Sequence, residues 1–122
     1  MIRIKLGDRP RSVEREIKFG DGSFKIKVQT PNMEERFRYR SLLWQADERY
    51  GDLGIFTLRF LVGWDGIHGE DGEPIPFNES TKAKILDGNH AIATAIAMDI
   101  ANYFDDEVVT VLSEEQEKNS ET

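Results

Sequence analysis

The side chains best suited to chemistry in this sequence are two histidines, His68 and His90, and the carboxylates Asp65, Glu70, Asp71 and Glu73, which crowd one loop. A pair of carboxylates divides acid and base roles only when its surroundings hold the two pKa values apart. In a loop this polar nothing does so, and a solvated turn is expected. A helix–loop–helix calcium site needs oxygen ligands at positions 1, 3 and 5, glycine at 6 and glutamate at 12. Counted from Asp65, position 3 is Ile67 and position 5 is Gly69; counted from Asp71, position 5 is Ile75. Both registers fail. The histidines are far apart in sequence and neither adjoins a nucleophile, so each reads as a surface residue. There is no nucleophile elbow and no glycine-rich phosphate loop with a following lysine. The absence of cysteine excludes disulfides, thiolate catalysis and cysteine-based zinc sites. No catalytic residue, cofactor-binding residue or metal ligand is expected, and the chain reads as a non-enzyme.

The same loop is more informative as a shape. Residues 61–77 read LVGWDGIHGEDGEPIPF. An apolar run ends at Trp64, and an apolar anchor, Ile75-Pro76-Phe77, closes the segment. Gly66 suits a positive-φ cap, Asp71-Gly72 is a turn dipeptide, and the prolines keep residues 73–77 extended. Two roles stay open for the anchors. They either clamp the loop to its own core or form a partly exposed apolar patch for a protein partner. The partner-binding candidates are Phe56, Phe60, Trp64, Ile67, Ile75, Pro76 and Phe77.

The elements that must hold this loop follow from periodicity. Alternation with period two runs from Ile2 to Gln29, with Phe24, Ile26 and Val28 set against Lys25, Lys27 and Gln29. Gly20-Asp21-Gly22-Ser23 supplies a tight turn, giving a hairpin of residues 13–19 with 23–30 and a candidate third strand at residues 2–6. Such a sheet has one apolar face and must pack on helices.

From Thr30 onward the period is helical. Thr30 as cap and Pro31 at the first position predict a helix over residues 31–50, with Met33, Phe37, Leu43, Trp44, Ala46 and Tyr50 inward and a Glu34–Arg38 pair on the wet side. A second helix is expected from Asp52 to Trp64. It is apolar nearly all round, with Arg59 as the exception, and so would lie partly exposed to a partner. A short helix at residues 80–86, capped within Asn78–Ser80, precedes the longest one. That helix is capped by Asn89, runs over residues 90–112, and carries Ile92, Ala93, Ile96, Ala97, Ile100, Ala101, Phe104, Val108, Val111 and Leu112 on one face. The alanines would allow close helix approach. The fold class is α+β, an N-terminal antiparallel hairpin packed on about four helices. Residues 1–112 form one domain, and the polar, acidic residues 113–122 form a tail expected to be disordered.

At 122 residues the chain can bury roughly two-thirds of its unfolded surface. Net charge is −7, unevenly spread, with eight Lys/Arg against four Asp/Glu in residues 1–30 and an acidic remainder. The basic residues alternate with apolar ones, as on a solvated sheet face whose lysines discourage edge pairing. An acidic majority disfavours nucleic acid. With no signal peptide and no 18-residue apolar run, a membrane is not expected and the cytoplasm is the default location.

Gly63-Trp64-Asp65-Gly66-Ile67, followed by Asp71-Gly72-Glu73-Pro74-Ile75-Pro76-Phe77-Asn78 and a short helix, resembles small phage and prophage proteins identified as tail assembly chaperones. In that family a tryptophan ends a hydrophobic helix and a similar Gly-Pro loop follows. The resemblance implies a non-enzymatic protein that binds the tape-measure protein of a long-tailed phage, and the tail-tube protein as a second client, before tail polymerisation. It would act in the host bacterial cytoplasm and be absent from the mature virion. It implies no cofactor and fixes no catalytic residue. A structural tail or head–tail joining protein that forms a ring, and a small regulator such as an antitoxin, are the alternatives. A homo-oligomer is compatible with each.

Overall fold

The computed structural model describes residues 1–3 and 10–120, with side chains described outside 46–50 and 106–120. The candidate strand at residues 2–6 lies for the most part outside the described residues. A two-residue turn joins β1 (Ser12–Phe19) to β2 (Gly22–Gln29), and Gly20 takes the positive φ of 60° that starts it. Pairing runs in strict antiparallel register from Ser12↔Gln29 to Phe19↔Gly22. Phe24, Ile26 and Val28 are buried while Lys25, Lys27 and Gln29 face out, as the alternation requires.

Among the described residues the third strand of the sheet comes from a segment that periodicity gave to a helix. The expected helix from Asp52 to Trp64 splits in two: α2 is Ala46–Leu58, and Leu61–Asp65 is β3, paired antiparallel to the free edge of β2. The sheet order is therefore β1-β2-β3. An apolar run without polar alternation cannot tell a helix from a strand, and here the unpaired edge of β2 decides. Gln29 N–H donates to the Phe60 carbonyl at 2.8 Å, opening the ladder directly after α2 ends in i→i−3 bonds at Arg59 and Phe60. A bulge between Lys27 and Val28 shifts the register, so Gly63 faces Lys27 and Leu61 faces Val28. A Cβ at Gly63 would lie 3.2 Å from the Lys27 Cβ, a tight approach that a larger residue would have to push apart.

The helix expected over residues 31–50 is also two. The first, α1, is Met33–Trp44, capped by Asn32 rather than Thr30. Asn32 Oδ1 accepts the Glu35 N–H at 2.8 Å, and Glu35 Oε1 accepts the Asn32 N–H at 2.9 Å, a reciprocal capping box. The helix breaks at Gln45 with no glycine or proline to announce it, and the chain continues as α2 through Gly51 and Gly54. Thr57, buried near the end of α2, spends its hydroxyl on the Gly54 carbonyl at 2.8 Å. The expected Glu34–Arg38 pair is present at 3.6 Å. Next come α3 (Glu79–Gly88), boxed by Asn78 and Thr81, and α4 (His90–Ser120), whose backbone stays helical beyond residue 112 into the segment read as a tail. Asn89 closes α3, and its carbonyl accepts the Ala93 N–H as α4 begins.

One core joins these layers. Ile96, Ile100 and Phe104 of α4 are buried against Ile17, Phe24, Ile26 and Val28 of the sheet and Leu53, Phe56 and Phe60 around α2. Phe104 takes ring edges from Tyr39 at 5.2 Å and Phe60 at 5.0 Å. Arg15 departs from the solvated basic face expected of the N-terminal strands. It sits on the inward side of β1, where Nε and Nη2 donate to Asp99 of α4 at 2.7 and 3.3 Å and the guanidinium lies 5.2 Å from the Tyr103 ring. Asp99→Ala leaves that half-buried guanidinium without its carboxylate and should lower stability by about 1–3 kcal/mol. Glu14→Ala, which removes the exposed Lys25–Glu14 pair at 3.3 Å, should change it by less than about 0.5 kcal/mol. Denaturant unfolding of both variants checks the contrast, and equal losses would contradict it.

Candidate interaction surface

The loop after β3 is a small closed structure of its own. Ile75 N–H donates to the Ile67 carbonyl at 2.8 Å, His68 bridges to Pro74, and Gly69 N–H donates to the Glu73 carbonyl at 2.9 Å. Gly72, at φ 81°, makes the expected Asp71-Gly72 turn, and Asp71 Oδ1 accepts the Glu73 N–H at 3.0 Å. Gly66 has the expected positive φ, 93°, but it turns the chain out of a strand rather than capping a helix. The carboxylates of Asp65, Glu70, Asp71 and Glu73 belong to exposed residues, as does His68. Among the described residues no group of three or more histidines and carboxylates is placed to hold a metal ion.

Trp64 and Phe77 meet each other. Their rings are 4.7 Å apart and edge-to-face, and Trp64 Nε1–H donates to the Ile75 carbonyl at 2.8 Å. The helix that follows seals the far end: Thr81 Oγ1 donates to the Pro76 carbonyl at 2.6 Å. Lys82 Nζ donates to the Leu61 carbonyl at 3.0 Å and sits 5.9 Å from the Phe77 ring centre. Burial lowers the Lys82 pKa from its ordinary value, with the Glu79 charge acting in the opposite sense. Trp64, Ile67, Ile75 and Phe77 are half-buried and Pro76 is exposed. Phe56 and Phe60 are 7% and 3% exposed and lie in the core. Of the seven candidates, then, five form the pinned loop and two belong to the interior.

Larger apolar surfaces lie elsewhere. Around α1 the apolar residues point in opposite directions. Tyr39 is buried and Leu42 half-buried, while Met33, Phe37 and Trp44 fall within about 40° of one another on the far side at 100° per residue. These three are 72%, 65% and 88% exposed, so the expected inward face of this helix is largely its outward one. Glu34, Arg38 and Ser41 flank the stripe and are exposed, as expected.

The chain matches no known protein family, and no curated protein or solved structure is detectably similar to it.

An open groove of about 760 Å³ runs beside this helix along α4. Ala93, Ala97 and Ala101 give it a shallow floor, and Leu58, Leu86 and Met98 are among its apolar walls. Sequence periodicity noticed the alanines but not the groove, because nothing local shows that α2 and α3 flank them without closing over them. At the α1 end, Tyr39 donates its hydroxyl to Asp105 Oδ1 at 3.2 Å and the Ala101 carbonyl at 3.3 Å. Burial, and then the neighbouring Asp105 charge, raise the Tyr39 pKa well above its ordinary 10. The unfolded chain ionises this phenol near pH 10 and the folded one does not, so its contribution is intact below pH 10 and falls as pH rises beyond it. Tyr39→Phe should therefore flatten the alkaline loss of stability above pH 10, measured by urea unfolding; an unchanged slope would contradict this. Trp64→Phe keeps the ring contact and removes the bond to Ile75. It should cost about 1 kcal/mol and speed amide exchange in residues 67–77.

Proposed function

We propose that this protein is a non-enzymatic assembly chaperone whose client is a phage tape-measure protein, held before tail polymerisation. The observation that carries this reading is the stripe of Met33, Phe37 and Trp44 exposed on α1. Large apolar residues clustered on one face mark a protein-binding surface more often than scattered ones do. Aromatic residues of this kind dominate binding energy when a partner desolvates them. Arg38 and Arg40 on the same helix supply polar contacts at the rim. A long helical client that must wait for its tube subunits would expose complementary apolar surface. The identity of the client rests on the resemblance of residues 63–78 to the tail-chaperone loop. On this reading the protein acts in the host cytoplasm and leaves before the particle is complete.

The proposed contact lies on α1 rather than on the loop. Trp64 and Phe77 are engaged with each other and with backbone, whereas Phe37 and Trp44 are open to a partner. Co-expression with the tape-measure protein and affinity recovery tests this directly. Phe37→Ala with Trp44→Ala should lower recovery at least tenfold, about 1.4 kcal/mol, with little change in melting temperature. Trp64→Ala with Phe77→Ala should lower the melting temperature instead. Selective loss of binding in the loop variant alone would return the site to the loop, and failure of the unaltered protein to recover the client would reject the reading.

A further inference from the structure

We propose that the segment of the client that covers α1 is itself a helix, with apolar residues at steps of four and three and a carboxylate set opposite Arg40. This deepens the proposed function and rests on it. If the stripe of α1 is the binding surface, its own spacing and charge define what lies on it.

Met33, Phe37, Arg40 and Trp44 follow one another at steps of four, three and four, the interval of a helix–helix seam. The seam runs from the first residue of α1 to the last. At 100° per residue the four fall within an arc of about 60°, with Arg40 at its edge, about 20° beyond Met33. Their levels along the axis rise by about 6, 4.5 and 6 Å in turn. A second helix with the same steps repeats those levels. An extended strand does not, because its same-face residues recur evenly at about 6.7 Å.

Charge narrows the occupant further. Arg38 points to another side of the helix and pairs with Glu34 at 3.6 Å, and Arg36 is half-buried and engaged. Arg40 is exposed, and among the described residues it has no carboxylate partner. Along the axis it stands between Phe37 and Trp44, so an occupant that takes both rings out of water takes the guanidinium out as well. A buried guanidinium is tolerated only with acceptors in place of water, and its planar fork matches a carboxylate through two parallel bonds. A helical occupant has its backbone carbonyls committed to its own turns, so the acceptor must be a side chain. The chain's own acids nearby are committed too, Glu34 to Arg38 and Glu35 to the capping box. A second copy of α1 offers no carboxylate either, because its seam is the same four residues.

Recovery of the tape-measure protein on co-expression reads the outcome. Arg40→Glu should lower it at least tenfold while the melting temperature stays the same. Arg40→Leu should lower it as well, because the client's carboxylate is then the unpaired group, and Arg40→Lys should retain more than either. Among single Asp→Arg and Glu→Arg substitutions in the helical segments of the client, one should restore recovery by the Arg40→Glu variant and weaken recovery by the unaltered protein. Suppose Arg40→Leu recovers the client as well as the unaltered protein does, while Phe37→Ala with Trp44→Ala remains defective. That result would overturn the carboxylate and leave the stripe as the contact. Sedimentation velocity of the protein alone tests the other occupant: a dimer that Phe37→Ala with Trp44→Ala dissolves would give the face to a second copy and overturn the proposal. Failure of the unaltered protein to recover the client would overturn it together with the proposed function.

Discussion

The packing of one ridge, Ile96, Ile100 and Phe104, decides how the rest of this molecule is arranged. The sheet has a single apolar face, and three strands cannot stand without a cover. α4 provides it, and the ring edges of Tyr39 and Phe60 on Phe104 bring α1 and the end of α2 to the same point. Arg15 and Asp99 fix the approach of helix to sheet from the opposite side, with a charge-assisted bond at a position that alternation would give to an apolar residue. Removal of the ridge would leave sheet and helices without a shared interior.

Once that ridge is committed, the remaining apolar residues have nowhere inside to go. α1 carries apolar side chains on two opposite faces, and the core takes only the one with Tyr39 and Leu42. Met33, Phe37 and Trp44 are left in solvent for lack of another layer rather than by a local defect. The groove has the same origin: α2 and α3 pack on either side of α4 but do not meet over its alanines. A chain of this length covers one sheet with one helix layer, and its surplus apolar surface is what a partner can use.

Much of the fold could be read in advance where local and global preferences agree. The hairpin was legible because Gly20 and the alternation of Phe24, Ile26 and Val28 point to the same register. The α3 cap at Asn78 and the buried face of α4 were legible for the same reason. Failures fell where a long-range partner made the choice. Leu61–Asp65 is a strand because β2 has an edge to fill, a fact that no window of sequence contains. The break at Gln45 has no breaker residue, whereas Gly51 and Gly54 lie within a helix. At the candidate site the loop geometry was anticipated in its turns, but not which aromatic residues stay exposed. Phe56 and Phe60 look like Phe37 and Trp44 in the sequence; contact with α4 separates them.

The two tryptophans offer the most direct measurement on the central claim, that the outward stripe of α1 meets a protein client. Trp44 is almost fully exposed, whereas Trp64 is half-buried and bonded to Ile75. In a Trp64→Phe background, Trp44 is the sole native indole, and its emission reports the polarity of that stripe alone. Titration with a tryptophan-free variant of the tape-measure protein is expected to move that emission to shorter wavelength and shield it from an aqueous quencher, in a saturable fashion. Binding that leaves Trp44 emission and quenching unchanged would show that the client sits elsewhere and contradict the assignment.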